Sequence, residues 1–319
     1  MQLTIIEPHK HFESIIQLVP AIHSLTFPVS IICSRYSREQ VLALHPEMAS
    51  IVNWDTHKKP KFPKKNTVLL FTSLQYTRRP WLRWIRRFPT AVLISNTNYY
   101  LGNPISKWAS PTETSYSSWR YSFEKHFRFR FTRKISQKIL SEVKALIPHS
   151  SLQIPFLRTY YKGPIMDVPL LCKSQPIDIG NYDFIPVYRK TTYINIDYIQ
   201  KIQGDLNPHS ICLCLESEKK IMQQLLPQCE FMIGPVSHQT YIDLFKNARR
   251  VVFPFHREMN FGIVRELLGE TKYLARIYTA LMYDKPVLLP PDIPLPPAPP
   301  SETEFIAAFQ ELVAFLKES

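Results

Sequence analysis

The sequence predicts an α/β protein: two doubly wound, Rossmann-like parallel sheets that face each other across a cleft. Three observations predict it. Strand-length apolar runs alternate with helical patterns. The alternation breaks within 150–190 and then starts again. The charge divides along the same line. Residues 1–185 carry 25 Lys and Arg against 11 Asp and Glu, residues 186–319 carry 14 against 15, and the two balances, +14 and −1, give the net +13.

In the first half LTIIE (Leu3–Glu7) is a short β-rich run, and HFESIIQLVPAIHSL after it has a helical pattern. VSIICS (Val29–Ser34) is a second strand, and SREQVLALHPEM opens with a serine cap and an acidic first turn. SIVNW and TVLLFTSL are further strands, PWLRWIRRF is a helix with proline at its first position, and TAVLIS is a strand leading into the loop NTNYYLGNPISKW. Apolar runs of this length imply a parallel sheet covered on both faces.

The second half repeats the plan: SICLCLE leads into SEKKIMQQLLPQ, EFMIGPV into HQTYIDLFKNA, and RVVFPF into NFGIVRELLGETKYLARIYTALMYDKPVLLP. That last stretch reads as a helical IVRELL, a second helix opening at Thr271, and an apolar strand. The proline-rich PPDIPLPPAPP has few amides to offer a ladder and must pass over the surface to reach a last helix, TEFIAAFQELVAFLKE. The expected domains are 1–170, 171–300 and a C-terminal helix over 301–319 that packs back on the first domain.

Composition narrows the classes. With 45% apolar and 20% charged residues the chain is an ordinary globular protein, and its apolar runs are too short to cross a bilayer. The start shows no cleavable apolar core, so a cytoplasmic location is expected, peripheral on the inner membrane face. The five cysteines have no metal spacing; Cys212 and Cys214 share one side of a strand, and buried free thiols are expected rather than zinc. The positive first half calls for an anionic partner, membrane lipid or nucleic acid, unless it serves solubility alone.

Ligands of open parallel sheets bind beyond the carboxyl ends of the strands, so two such sheets put the site in the cleft between them. The chain has seven glycines, and Gly262 and Gly269 fall within ten residues of each other. Gly269-Glu270-Thr271-Lys272 reads as a helix start whose free amides, hydroxyl and lysine would hold a diphosphate, with Arg265 or Arg257 beside it. The alternative is that Gly269 only ends the preceding helix. Glu258 and Glu266 are suited to bind ribose or sugar hydroxyls, unless they are simply surface glutamates. After the first strand, His9, His11 and Glu13 (with Glu7) are candidates for a base, or else helix-start residues. Asn96, Asn98 and Tyr99 are acceptor-side candidates.

Two basic pieces stand out. RRPWLRWIRRF sets Trp81 and Trp84 among Arg79, Arg83 and Arg87, a composition that favours an anionic bilayer interface unless the tryptophans pack on the sheet. HFRFRFTRK (His126–Lys134) alternates basic and aromatic residues, and its phenylalanines fit a core equally well.

The segment FPFHREMNFGIVRELLGETKYLARIYTALMYDKPVLLP resembles the donor domain of two-domain, GT-B type glycosyltransferases that use nucleotide sugars. Glu258 and Glu266 have that group's Glu-x7-Glu spacing, and Ala280–Pro290 has its Ala-x4-Lys-Pro-Val ending followed by a strand. LLFTSLQYTRRPWLRWIRRFPTAVLISNTNYYLG is similar to the acceptor domain. Thr279 departs from the pattern, standing where a glutamate is usual when Lys-Pro-Val is aligned.

The resemblance implies a bacterial surface-polysaccharide type of transferase that moves a sugar from a UDP- or GDP-linked donor to a saccharide or lipid-linked acceptor. Neither metal nor another cofactor is expected, since Asp-x-Asp is absent. It implies a donor site of Glu258, Gly262, Arg265, Glu266, Gly269, Thr271 and Lys272. An inactive scaffold in polysaccharide assembly and a basic nucleic-acid-binding protein are the alternatives. No helix-turn-helix, zinc or RNP signature supports the latter.

Overall fold

The computed structural model describes residues 1–8, 11–54, 66–73, 79–94, 101, 134–169, 172–174, 180–187, 193–261, 264–272 and 275–319. The first sheet holds β1 (Gln2–Ile6), β2 (Val29–Cys33), β3 (Val52–Trp54), β4 (Thr67–Phe71), β5 (Thr90–Ile94) and β6 (Ala145–Pro148). All pairs are parallel, in the order β3-β2-β1-β4-β5-β6 of a doubly wound fold.

Successive side chains of a strand point to opposite faces, and here both faces are buried. Leu3, Ile5, Val68, Leu70 and Leu93 line one core, while Ile6, Leu69, Phe71, Val92 and Ile94 line the other. Over the first face lie α1 (Glu13–Ile16), α2 (Val19–His23) and α3 (Arg35–Leu44). The sequence suggested one helix where α1 and α2 stand. Pro20 sits in the first turn of α2, where its missing N–H costs no helical hydrogen bond, so a new helix starts there. The cap of α3 is Ser34, whose hydroxyl accepts the Ser37 N–H at 3.1 Å, three residues ahead of the serine expected.

The second face is covered by α4 (Arg79–Ile85), residues 134–144 and α5 (Ile154–Tyr160). Here the membrane role expected of the tryptophans is corrected. Trp81 and Trp84 are each 2% exposed, packed edge-to-face at 5.0 Å, and Trp81 meets Phe71 of β4 at 5.8 Å. Ring area of this size, buried on the sheet, outweighs any gain at a bilayer surface. Arg83 and Arg87 remain exposed on the outer side, whereas the side chain of Arg79 lies outside the described residues.

The second sheet consists of β7 (Tyr182–Pro186), β8 (Ile211–Cys214), β9 (Glu230–Ile233), β10 (Ala248–Val252) and, after a hairpin of β11 (Glu258–Phe261) and β12 (Val264–Leu267), β13 (Val287–Leu288). Its order, β13-β10-β7-β8-β9, repeats the first five positions of the other sheet, and all pairs are parallel. The helices of this half are α6 (Ile196–Ile202), α7 (Glu216–Leu225), α8 (His238–Lys246) and α9 (Ala275–Met282). Cys212 and Cys214 share one core with Cys229, and all five cysteines are free thiols.

The last helix, α10 (Glu302–Glu318), opens on a capping box between Ser301 and Glu304. Its apolar stripe, Phe305, Phe309, Leu312, Val313 and Leu316, is buried on the first sheet with Leu3, Ile5, Ile15 and Ile22. Burial of a side chain of this kind contributes roughly 1.5–3 kcal/mol, so five such residues are integral to that core. Two parallel Rossmann-like sheets in one chain, each with helices on both faces, are the GT-B-like architecture expected.

Candidate functional site between the two sheets

In a doubly wound sheet the crevice opens at the carboxyl ends of the strands, where the order reverses. The reversals here lie between β1 and β4 in the first sheet and between β7 and β10 in the second.

At the first reversal Glu7 follows β1 with no exposure to solvent. Its N–H donates to the Ile32 carbonyl at 2.9 Å, and the Thr72 hydroxyl, just beyond β4, donates to its Oε2 in a short hydrogen bond. Cys33 at the end of β2 senses this carboxylate: burial first, then the charge of Glu7, push its thiol up to about 12. Phe12 comes next, its ring edge-to-face with Tyr36 at 6.0 Å and with His238 of the second half at 5.3 Å. His238 opens α8, which Ser237 caps by accepting the Thr240 N–H at 3.0 Å. Burial lowers the pKa of His238, and the carboxylate of Glu13 opposes that shift.

The end of β6 supplies a second bridge. Both ring nitrogens of His149 are shut off from solvent, and burial, aided by the charge of His11, pushes its pKa down to about 3. Gln153 is fully buried; its Oε1 accepts the N–H groups of His149 (2.9 Å) and Ser150 (3.2 Å), and its Nε2 donates to the Thr271 carbonyl at 3.4 Å. Tyr278 of α9 is pushed up to about 12 by burial, against a hydrogen bond with Ser150.

At the second reversal Arg276, in the first turn of α9, donates from a guanidinium nitrogen to the Pro186 carbonyl at the end of β7, 2.8 Å away. This cation and the helix start behind it were missed by the sequence, which put the helix opening at Thr271.

That expectation is corrected. The stretch read as helical IVRELL contains a strand, β12, paired antiparallel with β11, and the following helix begins only at Ala275. Between them Gly269 takes a left-handed φ of +81°. The N–H groups of Thr271 and Lys272 both donate to the Leu267 carbonyl at 2.9 Å, and the Thr271 hydroxyl accepts the Leu267 N–H at 2.7 Å. Those amides are committed inside the turn and cannot serve a diphosphate. Thr271 is 1% and Lys272 7% exposed.

The two glutamates diverge as well. Glu258 pairs with Leu267 and Met259 with Glu266, so the pleat sends Glu258 and Glu266 to opposite faces of the hairpin. Glu266 is fully buried and Glu258 is exposed. They do not converge on one sugar. Arg257 is ion-paired with Glu270, which uses part of its capacity for an anion.

His11 and Glu13 stand exposed at the first reversal, Glu13 as the first residue of α1. His9, Gly262, Asn96 and Asn98 lie outside the described residues, and of Arg265 only the backbone, in β12, is described. Among the described residues no group of three His, Cys, Asp or Glu side chains is placed to hold a metal ion, and no helix is long and apolar enough to cross a membrane. A hollow of about 710 Å³ is lined by Leu140, Lys144, Tyr160, Lys162 and Phe315. It flanks the amino end of β6, away from both reversals, so it is not this crevice.

No protein-family model and no curated protein matches the chain. Several solved structures align with most of the chain. A UDP-N-acetylglucosamine 2-epimerase from Rickettsia bellii matches with TM-score 0.46 and 12% identity, covering 90% of this chain and 78% of that one. HepE of Anabaena, solved with UDP and glucose, matches with TM-score 0.48 and 13% identity over 90% and 80%. The glycotransferase of kitacinnamycin matches with TM-score 0.47 and 10% identity over 97% and 84%. In this chain a buried carboxylate, Glu7, and a helix-start arginine, Arg276, occupy the reversal points of the two sheets.

Proposed function

We propose that this chain is a glycosyltransferase that moves a sugar from a UDP- or GDP-linked donor, held by the second half, to a saccharide or lipid-linked acceptor at the first. The observation that carries the proposal is the pairing of reversal points, with Glu7 and Thr72 at one and Arg276 at the other. Two contacts cross between the halves near these points, Phe12 to His238 and Gln153 to Thr271.

Transfer at an anomeric carbon leaves a nucleoside diphosphate with growing negative charge. The start of α9 and Arg276 supply a positive field where that charge develops, with no metal needed. The acceptor hydroxyl must lose a proton to a base. His149, with its pKa near 3, is too weak a base at neutral pH. His11, exposed close by, takes that role in this proposal, with His9 and Glu13 as the other candidates.

The test is calorimetry with UDP and GDP. One of them binds, and Arg276→Ala weakens it at least tenfold without lowering the melting temperature by more than a few degrees. His11→Ala lowers turnover and leaves nucleotide affinity alone. Failure of both nucleotides to bind the intact chain overturns the proposal. A second reading, a non-catalytic scaffold, is favoured by the divergence of Glu258 and Glu266. Nucleotide binding with neither donor hydrolysis nor transfer would select it.

A further inference from the structure

The two helical layers that cover the first sheet carry opposite charge. On the layer packed over Phe71 and Val92, Arg83, Arg86 and Arg87 are exposed at α4, and Lys134, Lys138 and Lys144 at residues 134–144. Arg158 of α5 and Lys162 just after it complete eight exposed cations. Their acidic neighbour in these segments is Glu142, already held by Arg86 at 2.9 Å.

The layer on the other face, formed by α1, α2, α3 and α10, is built the other way. Glu13, Glu39 and Glu47 are exposed there, with Glu302, Glu304, Glu311 and Glu318 on α10. Against these seven stand Arg35, Arg38 and Lys317, and Arg35 is paired with Glu39. A solubilising surface has no reason to sort its charges by face; a surface that meets an anionic partner has one.

We infer that the layer of α4, 134–144 and α5 docks on an anionic phospholipid bilayer. The shape of the layer favours lipid over nucleic acid. At its edge, where it meets the end of α10, the 710 Å³ hollow is lined by Leu140 and Val143 of the layer and Phe315 of α10, with Lys144, Lys162 and the exposed Tyr160 around them. An apolar floor with an ammonium rim suits a phosphate headgroup and the start of its acyl chain, whereas a nucleic-acid backbone offers nothing apolar to fill it. The tryptophans play no part, being buried beneath the cations. Each cation that lies against an anionic leaflet adds about fivefold to partitioning.

The test is co-sedimentation of the full chain with vesicles of phosphatidylglycerol and phosphatidylcholine at 0.05 M NaCl. The chain binds these and does not bind phosphatidylcholine alone, and 0.5 M NaCl, with a Debye length of roughly 4 Å, releases it. Joint reversal of Lys138, Lys144, Arg158 and Lys162 to Glu lowers the partition coefficient at least thirtyfold. Arg35→Glu with Lys317→Glu, on the opposite layer, leaves it within twofold. Circular dichroism melts confirm that both variants are folded; if the fourfold variant is not, the pair Lys138→Glu and Lys162→Glu is read instead, with at least a fivefold loss expected. Equal binding to uncharged vesicles overturns the inference. So does equal loss in the opposite-layer variant, or tighter binding of a DNA duplex than of the vesicles at matched phosphate concentration.

Discussion

The amide of Gln153, buried at the end of the first sheet, donates to the backbone carbonyl of Thr271 in the second half, 3.4 Å away. The same side chain accepts two backbone N–H groups that start the turn into α5. One residue therefore shapes a local turn and ties two distant segments together.

The two roles are separable. Gln153→Glu keeps an acceptor for the His149 and Ser150 N–H groups and loses the donor to Thr271; Gln153→Leu loses both. Leaving buried amides without partners costs about 1–3 kcal/mol, so the leucine variant should lose that much in urea unfolding, while the glutamate variant, which buries a carboxylate against the Thr271 carbonyl, should be less stable at pH 8 than at pH 5. If the glutamate variant is as stable as the parent chain, the tie to Thr271 contributes nothing measurable.

His149 makes stability depend on pH. Its folded pKa of about 3 lies below the ordinary histidine value of 6.5, so the unfolded chain binds a proton that the folded chain refuses. The stabilisation is complete above pH 6.5 and is lost as pH falls from there towards 3, at up to about 1.4 kcal/mol per unit from this group. His149→Asn should flatten the unfolding free energy between pH 6 and 4 relative to the parent chain. A parallel pair of profiles would show that His149 titrates normally in the fold.

Asp183 has no exposed side-chain surface and holds two guanidinium groups, Arg249 at 3.0 Å and Arg250 at 2.9 Å, together with the Asn207 N–H at 2.9 Å. Both arginines keep access to solvent, so removing Asp183 costs the charged hydrogen bonds it accepts, about 1.5–3 kcal/mol each at most, rather than two stranded buried charges. Asp183→Ala should therefore lower the unfolding free energy by that order. Asp183→Asn, which keeps an acceptor oxygen, should fall between the two.

Gly269 permits the turn that buries Thr271 and Lys272. At a φ of +81°, an added Cβ would also lie 2.9 Å from the Pro294 carbonyl oxygen and 3.0 Å from Pro294 Cγ. Gly269→Ala should destabilise by about 1–2 kcal/mol, read from chemical denaturation. No loss would mean that the turn and the proline-rich segment separate easily.

Most strands were legible because they are short, almost wholly apolar runs with threonine as the polar exception: LTII, TVLLF, TAVLI and ICLC. β7 was not, because Asp183 interrupts it, and the arginines that make this tolerable come from 66 and 67 residues further on. β6 is four residues long and ends in proline, too short an apolar run to stand out from the residues around it. Around β12 the apolar residues Ile263, Val264, Leu267 and Leu268 suit a helical stripe as well as a strand. The pairing of Met259 with Glu266 decides the matter, and no local pattern encodes that pairing. The crevice was legible as a place, from the carboxyl ends of the strands. Its residues were less so: His149 and Gln153 lie after the unrecognised β6, and Arg276 was hidden in a helix whose start had been set four residues too early.

The packing of α10 sets an order of assembly. The first half lacks part of its own hydrophobic filling until α10 is in place, whereas the second half, whose core ends with Ile293, takes nothing from α10. Before α10 docks, α1, α2 and α3 cover only part of that face of the first sheet. Any form of the chain in which α10 is undocked therefore exposes an apolar strip beside Leu3, Ile5 and Ile22.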